Sequence, residues 1–100
     1  MTTSCKLRYL ARGLETDQES RQSLKEELSI VSGVACVTIL PIVQGWSIEV
    51  DFSDISPFGK SSFETYFAEQ ILKEAIMLRC NIDGAFQLEL LLSSFEESTS

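Results

Sequence analysis

The sequence predicts one α+β domain with the element order β-α-β-β-α-β. Three segments, 5–12, 46–52 and 86–92, alternate apolar with polar residues, which is typical of strands with one buried face. The β-branched run at 35–40 indicates a fourth strand. Two longer segments carry apolar residues at helical spacing, and a capping sequence precedes each of them. The order of these segments predicts a four-stranded sheet and two helices.

The first strand and the first helix have clear signals. In residues 5–12, CKLRYLAR, the odd-numbered positions suit a buried face and the even-numbered positions are mostly basic. Thr16 and Glu19 fit a capping box, so a helix is expected to begin at Asp17. Gly33 is placed to end this helix in a left-handed conformation.

The middle of the chain predicts a β-hairpin. Residues 35–40, ACVTIL, and 46–52, WSIEVDF, are rich in β-branched and aromatic residues, and the segment PIVQG connects them. In the second strand, large apolar residues alternate with Ser, Glu and Asp. One face of this strand is therefore expected to lie in the core and the other in water.

A long second helix is predicted after the hairpin. Pro57 and Gly59 mark a loop, and Ser61 with Glu64 forms a second capping box. The apolar spacing that follows predicts a helix from about residue 62 to residue 79.

The last strand and the two chain ends complete the prediction. The segment 86–92, FQLELLL, alternates as a strand. Residues 1–4 and 93–100 are mostly polar and have no periodic pattern, so we expect both ends to be disordered. The folded domain is therefore expected to span residues 5–92.

This element order is that of the ferredoxin-like fold, in which both helices cover one face of an antiparallel sheet with the strand order 4-1-3-2. Strand one then lies between strands three and four, so its basic residues are expected to face acidic residues of both neighbours. The basic residues are Lys6, Arg8 and Arg12, and the acidic residues are Glu49 and Asp51 on strand three and Glu89 on strand four.

Composition excludes several classes of function. The net charge of −7 would repel a phosphate backbone, so nucleic-acid binding is not expected. The longest apolar segments have the length of strands, and no basic segment precedes an apolar one at the N-terminus, which predicts a cytoplasmic protein without membrane insertion. The three cysteines cannot all pair with each other, and they are expected to be reduced and mostly buried.

Residues 6–54 resemble the heavy-metal-associated (HMA) domain of metallochaperones and metal-pumping ATPases. The similarity consists of a strand that leads into Gly13-Leu14, a helix, Gly33-Val34 and a hairpin that ends in WSIEVDF. The metal-binding cysteine pair of that family falls here on Thr16 and Glu19. The chain is therefore similar to divergent HMA-like domains without the pair, in which an RLR-like first strand stands where KLRY stands here. The resemblance implies no metal and no cofactor.

Two alternative functions remain open, and neither is catalytic. A metal-handling protein could use Cys5, Cys36 and Cys80 between subunits. Segment 50–63 is similar to the strand-loop-helix segment with paired serines in anti-sigma-antagonist domains, which implies a regulatory domain. No enzyme is expected, because the chain contains no histidine and its carboxylates and lysines occur singly on wet faces.

A non-catalytic role in protein–protein interaction is the function that we expect. Apolar positions cover about half the circumference of the second helix, which is wider than the roughly 100° stripe that contact with one sheet requires. The surplus indicates a protein partner or a homo-oligomer such as a dimer, and packing against the first helix is the alternative. The candidate interface residues are Tyr66, Leu72, Ile76 and Met77.

Overall fold

The computed structural model describes residues 2–13, 18–43, 45–56, 63–80 and 86–98. Its strands and helices follow the predicted order. The strands are β1 (Thr2–Arg12), β2 (Val34–Ile42), β3 (Gly45–Phe52) and β4 (Gln87–Ser98), and the first helix is α1 (Gln18–Ser29). The second helix consists of α2 (Phe63–Tyr66), a π-helical segment (Phe67–Leu72) and α3 (Lys73–Cys80).

The four strands form one antiparallel sheet in the order β2-β3-β1-β4. This is the predicted order 4-1-3-2 read from the other edge, so that prediction is confirmed. Within the described part of the chain, β2 and β4 are the two edge strands. Each of them therefore has one side with no neighbouring strand among those residues.

Both helices contribute to one hydrophobic core on a single face of the sheet. Alternate residues of β1 and β3 point to this face, as the sequence pattern predicts. The described residues that are buried in this core are Cys5, Leu7, Tyr9, Ala11, Leu24, Leu28, Val37, Trp46, Ile48, Val50, Phe52, Ile55, Phe63, Phe67, Leu72, Ala75 and Ile76.

The second helix ends at Cys80, within one residue of the predicted end, and it contains a wider turn; the predicted start near residue 62 lies outside the described residues. The backbone N–H of Lys73 donates to the carbonyl oxygen of Ala68, five residues earlier, which is the π-helical spacing. Phe67 begins this segment and is fully buried, and its ring lies 5.2 Å from Phe52 in an edge-to-face contact and 6.1 Å from Tyr9. The wider turn thus lies where the helix packs against the centre of the sheet.

The expected disorder of residues 1–4 and 93–100 is wrong for the residues described at each end. β1 begins at Thr2 and β4 continues to Ser98, and the register pairs these two residues. Phe95 lies opposite Cys5 and packs against the core, which fixes the end of β4. The prediction failed because the two polar ends are stabilised by pairing with each other. The paired residues are separated by nearly the whole length of the sequence.

The hairpin connection is also shorter than predicted. β2 continues through Pro41 to Ile42, and Ile42 pairs with Gly45. Proline lacks the backbone N–H that a central strand needs, but it is tolerated in an edge strand such as β2. Gly33 has the predicted positive φ, 87°, but α1 ends at Ser29, so Gly33 lies in the turn that leads into β2 and does not end the helix as predicted.

Candidate functional site

The outer face of the sheet carries the three ion pairs that the topology predicts. Arg8 Nη2 donates to Glu49 Oε1 at 2.9 Å. Lys6 Nζ lies 3.9 Å from Asp51 Oδ1, and Arg12 Nη2 lies 3.7 Å from Glu89 Oε2. The basic residues of β1 are therefore paired with acidic residues of the same sheet.

One detail of this arrangement differs from the expectation. A register shift lies between Arg8 and Tyr9 on β1, where Arg8 pairs with Leu92 and Tyr9 pairs with Leu90. Leu91 is the extra residue of a β-bulge. Leu92, and not an acidic residue, therefore lies directly opposite Arg8 on β4, so the expectation of acidic residues directly on both sides of Arg8 is wrong.

The bulge distributes three consecutive leucines around the edge of β4. Leu90 lies opposite Tyr9 and therefore on the helix-covered face, whereas Leu92 lies opposite Arg8 on the outer face. Leu90, Leu91 and Leu92 remain 42%, 50% and 37% exposed. β4 is thus an edge strand that presents three partly exposed leucines.

A groove of about 310 Å³ runs between β4 and the second helix. Leu88 and Leu90 line it from β4, and Ala68 lines it from the helix. Its remaining lining residues are Tyr9, Glu64, Thr65, Glu69, Lys73 and Phe86. The described lining residues thus combine apolar side chains with two carboxylates and one ammonium group.

Tyr9 forms the base of this groove. Its hydroxyl donates to the carbonyl oxygen of Glu64 at 2.7 Å and so joins the central strand to the first turn of the second helix. Burial raises the pKa of Tyr9 above its usual value, and the nearby Cys5 and Glu64 add to this effect. Tyr9 is therefore a neutral hydrogen-bond donor near pH 7 and has no tendency to act as a base.

The cysteines lie in different environments. Cys5 is buried, and burial, followed by the charges of Glu64 and Asp51, raises the pKa of its thiol to about 11. Cys36 is exposed on the edge strand β2, so the expectation of mostly buried thiols is wrong for this residue. The side chain of Cys80 lies outside the described residues. The residues that the structure describes contain no group of three or more Cys, Asp or Glu side chains arranged to hold a metal ion.

The four candidate interface residues of the second helix do not share one surface. Leu72 and Ile76 are fully buried in the core, so they cannot contact a partner, whereas Tyr66 and Met77 are 45% and 38% exposed. The apolar face of the second helix is wider than contact with one sheet requires, because this face contacts both the sheet and α1.

The groove between α1 and α3 shows how the surplus apolar width is used. Ala75 is buried and Ile71 is partly buried beside Leu28, while Leu78 remains 74% exposed. The alternative interpretation, that the helix packs against α1, therefore accounts for much of its width.

Sequence reasoning missed the leucines of β4 although a signal was present. A strand with one buried face alternates, and three consecutive leucines cannot all lie on that face. The run Leu90–Leu92 therefore indicates either a bulge or an exposed apolar edge, and the structure contains both. The capping residue Thr16, onto which one cysteine of the metal-binding family would fall, lies outside the described residues.

Comparisons of the chain with protein-family models, with curated proteins and with solved structures found no match. The chain's own geometry therefore has to carry any functional conclusion. Among the described helices, none is both long and apolar enough to cross a membrane.

Proposed function

We propose that this protein is a non-catalytic docking domain that works by binding a protein chain along the edge of β4. The observation that carries the proposal is the run of three partly exposed leucines on an edge strand. Apolar side chains on an open strand edge favour the addition of another strand, because backbone hydrogen bonds and side-chain burial then act together.

The groove beside β4 supports the same function. A strand added to β4 would place alternate side chains towards the helices, where Leu88 and Leu90 line the groove, and the others towards the outer face beside Leu92. Apolar side chains on both faces of the added strand would therefore be covered. Lys6, Arg8 and Arg12 on the outer face already form ion pairs within the sheet, which disfavours a role for them as a row of cations that binds a ligand.

We infer a ferredoxin-like, HMA-like domain of the kind that lacks the metal-binding cysteine pair, acting in the cytoplasm. The sheet order and the paired charges of β1 support it. Metal handling by the cysteines is disfavoured because the high thiol pKa of Cys5 opposes formation of the thiolate that binds metal.

A binding experiment with matched variants tests the proposal. We immobilise three proteins: the parent, Leu91→Lys and Leu78→Lys. Each is exposed to extract from the source cells, and one extract sample also contains added soluble parent protein, so that binding of the chain to itself can be detected. Leu91 and Leu78 are both exposed leucines, but only Leu91 lies on the β4 edge. The parent and Leu78→Lys should retain a protein, either a second species or the chain itself, that Leu91→Lys does not retain. Equal retention by all three would refute docking along β4.

A further inference from the structure

We propose that the chain which docks on β4 is a second copy of this protein, bound through its β2 edge in a head-to-tail arrangement. This inference rests on the proposed function and names the partner. It follows from three properties of the two sheet edges: their strand directions, the charges beside them and their exposed apolar residues.

Strand direction permits the sheet to continue from one copy into the next. β3 is antiparallel to both β1 and β2, so β2 runs parallel to β1, whereas β4 runs antiparallel to β1. A second copy in the same orientation therefore presents its β2 antiparallel to β4 of the first. The helices of both copies then lie on the same face of the combined sheet. Side chains that point to the same face lie next to each other across the contact.

The β2 edge is basic on the helix side. A groove of about 330 Å³ separates α1 from β2, and the charged side chains among its described lining residues are Arg21 and Lys25. These two cations lie beside the open edge of β2 on the helix side.

The β4 edge is acidic. Strand residues 87–98 include Glu89, Glu96 and Glu97 but no lysine or arginine. Among its described lining residues, the groove on the helix side of β4 adds the carboxylates of Glu64 and Glu69 and the cation Lys73. Continuation of the sheet brings α1 of one copy beside the second helix of the next, so the basic groove faces the acidic groove.

Apolar surface accompanies the charges on both edges. Leu40 on β2 is 57% exposed, and Val43 at the hairpin tip is 88% exposed. On β4 the leucines of the bulge are the matching residues. Covering both sets in one contact would remove the two open edges that sheet proteins otherwise have to protect.

The same charges disfavour a symmetric dimer through β4 alone. Such a dimer would place two strands together that carry only acidic charges, and like-charge juxtaposition opposes association. A contact between unlike edges is heterologous, so it produces a closed ring or a growing chain of copies. The net charge of −7 per copy opposes assembly at long range, so the short-range contacts of the two edges must provide the affinity.

Two variants, each blocked at one edge, test the arrangement by sedimentation. The β4-blocked variant carries Glu69→Lys and Leu91→Lys, and the β2-blocked variant carries Lys25→Glu and Leu40→Glu. All four positions are exposed, and the near-ultraviolet signal of buried Trp46 checks that each variant is folded. Should either double variant unfold, the single changes Leu91→Lys and Leu40→Glu replace it.

The parent protein should increase in average mass as its concentration rises, whereas each blocked variant alone should stay at the monomer mass of 11.2 kDa. A mixture of the two variants should form a complex of about twice that mass, because each variant supplies the edge that the other lacks. Leu78→Lys and Ile30→Glu, which change exposed residues away from both edges, should associate like the parent.

Three results would overturn the inference. A parent protein that stays monomeric at all concentrations would exclude the second copy, while retention of another species in the extract experiment would leave the proposed docking function intact. Association of the β2-blocked variant alone would indicate a β4-to-β4 dimer instead. Failure of the two variants to combine would show that the contact is not between unlike edges.

Discussion

Replacement of Tyr9 by phenylalanine isolates one contact that connects the sheet to the second helix. Tyr9 is 1% exposed, and its hydroxyl donates to the carbonyl oxygen of Glu64 at 2.7 Å. Phenylalanine keeps the ring and its packing against Phe67, so no large cavity forms. The change therefore removes one hydrogen bond and little else.

The expected loss of stability at neutral pH is about 1 kcal/mol. A net intramolecular hydrogen bond contributes roughly 0.5–1.5 kcal/mol, and a buried carbonyl left without a donor adds to the loss. Here the groove that Tyr9 lines is open, so water can reach the Glu64 carbonyl and keeps the cost near the middle of that range. For a domain of this size such a loss lowers Tm by about 4–8 °C.

Alkaline pH should reduce the difference between the two proteins. Burial raises the pKa of Tyr9 in the folded state, so its contribution to stability is complete below the unfolded pKa of about 10 and declines as pH rises above it. Tyr9→Phe lacks this decline. Cys5, whose pKa is raised to about 11, remains in both proteins and gives them a shared decline that begins above about pH 8.5.

Urea denaturation of the parent and of Tyr9→Phe at pH 7 and above pH 10 provides the measurement. The free-energy difference should be about 1 kcal/mol at pH 7 and smaller at the higher pH. An unchanged stability at pH 7 would show that the hydrogen bond contributes nothing, and an equal difference at both pH values would show that Tyr9 ionises alike in the folded and unfolded states.

Three further predictions concern the sheet and the thiols. Arg8→Glu should lower the free energy of unfolding by about 1 kcal/mol, because it removes a 2.9 Å ion pair and places two carboxylates opposite each other. The additional change Glu49→Arg should restore most of this loss, and urea melts that show no recovery would contradict the pairing. Gly45→Ala should cost about 3 kcal/mol or more, because its Cβ would lie 1.9 Å from a main-chain oxygen of β1, and a near-normal Tm would disprove this close approach. In the variant Cys80→Ser, a thiol reagent should modify Cys36 rapidly and Cys5 only on unfolding. Equal reaction rates of the two thiols would contradict their difference in burial.

The sheet order and its ion pairs could be predicted because local patterns fix them. Alternation assigned Lys6 and Arg8 to the outer face of β1, and opposite charges on β3 then agreed with one strand order. The bulge at Leu91 could not be located in the same way, because the register of β4 depends on which partner residues on β1 it meets. The strand formed by the polar end Ser93–Ser98 was missed for the same reason.

The candidate interface shows a second limit of periodicity. The apolar width of the second helix correctly indicates extra contacts, but it does not tell a partner protein from a neighbouring helix. Leu72 and Ile76 fall in the core because α1 and the sheet both pack against this helix. The open edge of β4 follows instead from the sheet order, since a strand at the edge of a sheet has one side without a neighbour.

Hydrogen exchange measured at low and high protein concentration tests the head-to-tail edge contact most directly. Backbone amides of β2 and β4 should become protected together as concentration rises, because the two strands would pair between copies, while those of the inner strands β1 and β3 should change little. Protection of β4 without β2, or of neither edge, would contradict the pairing of unlike edges.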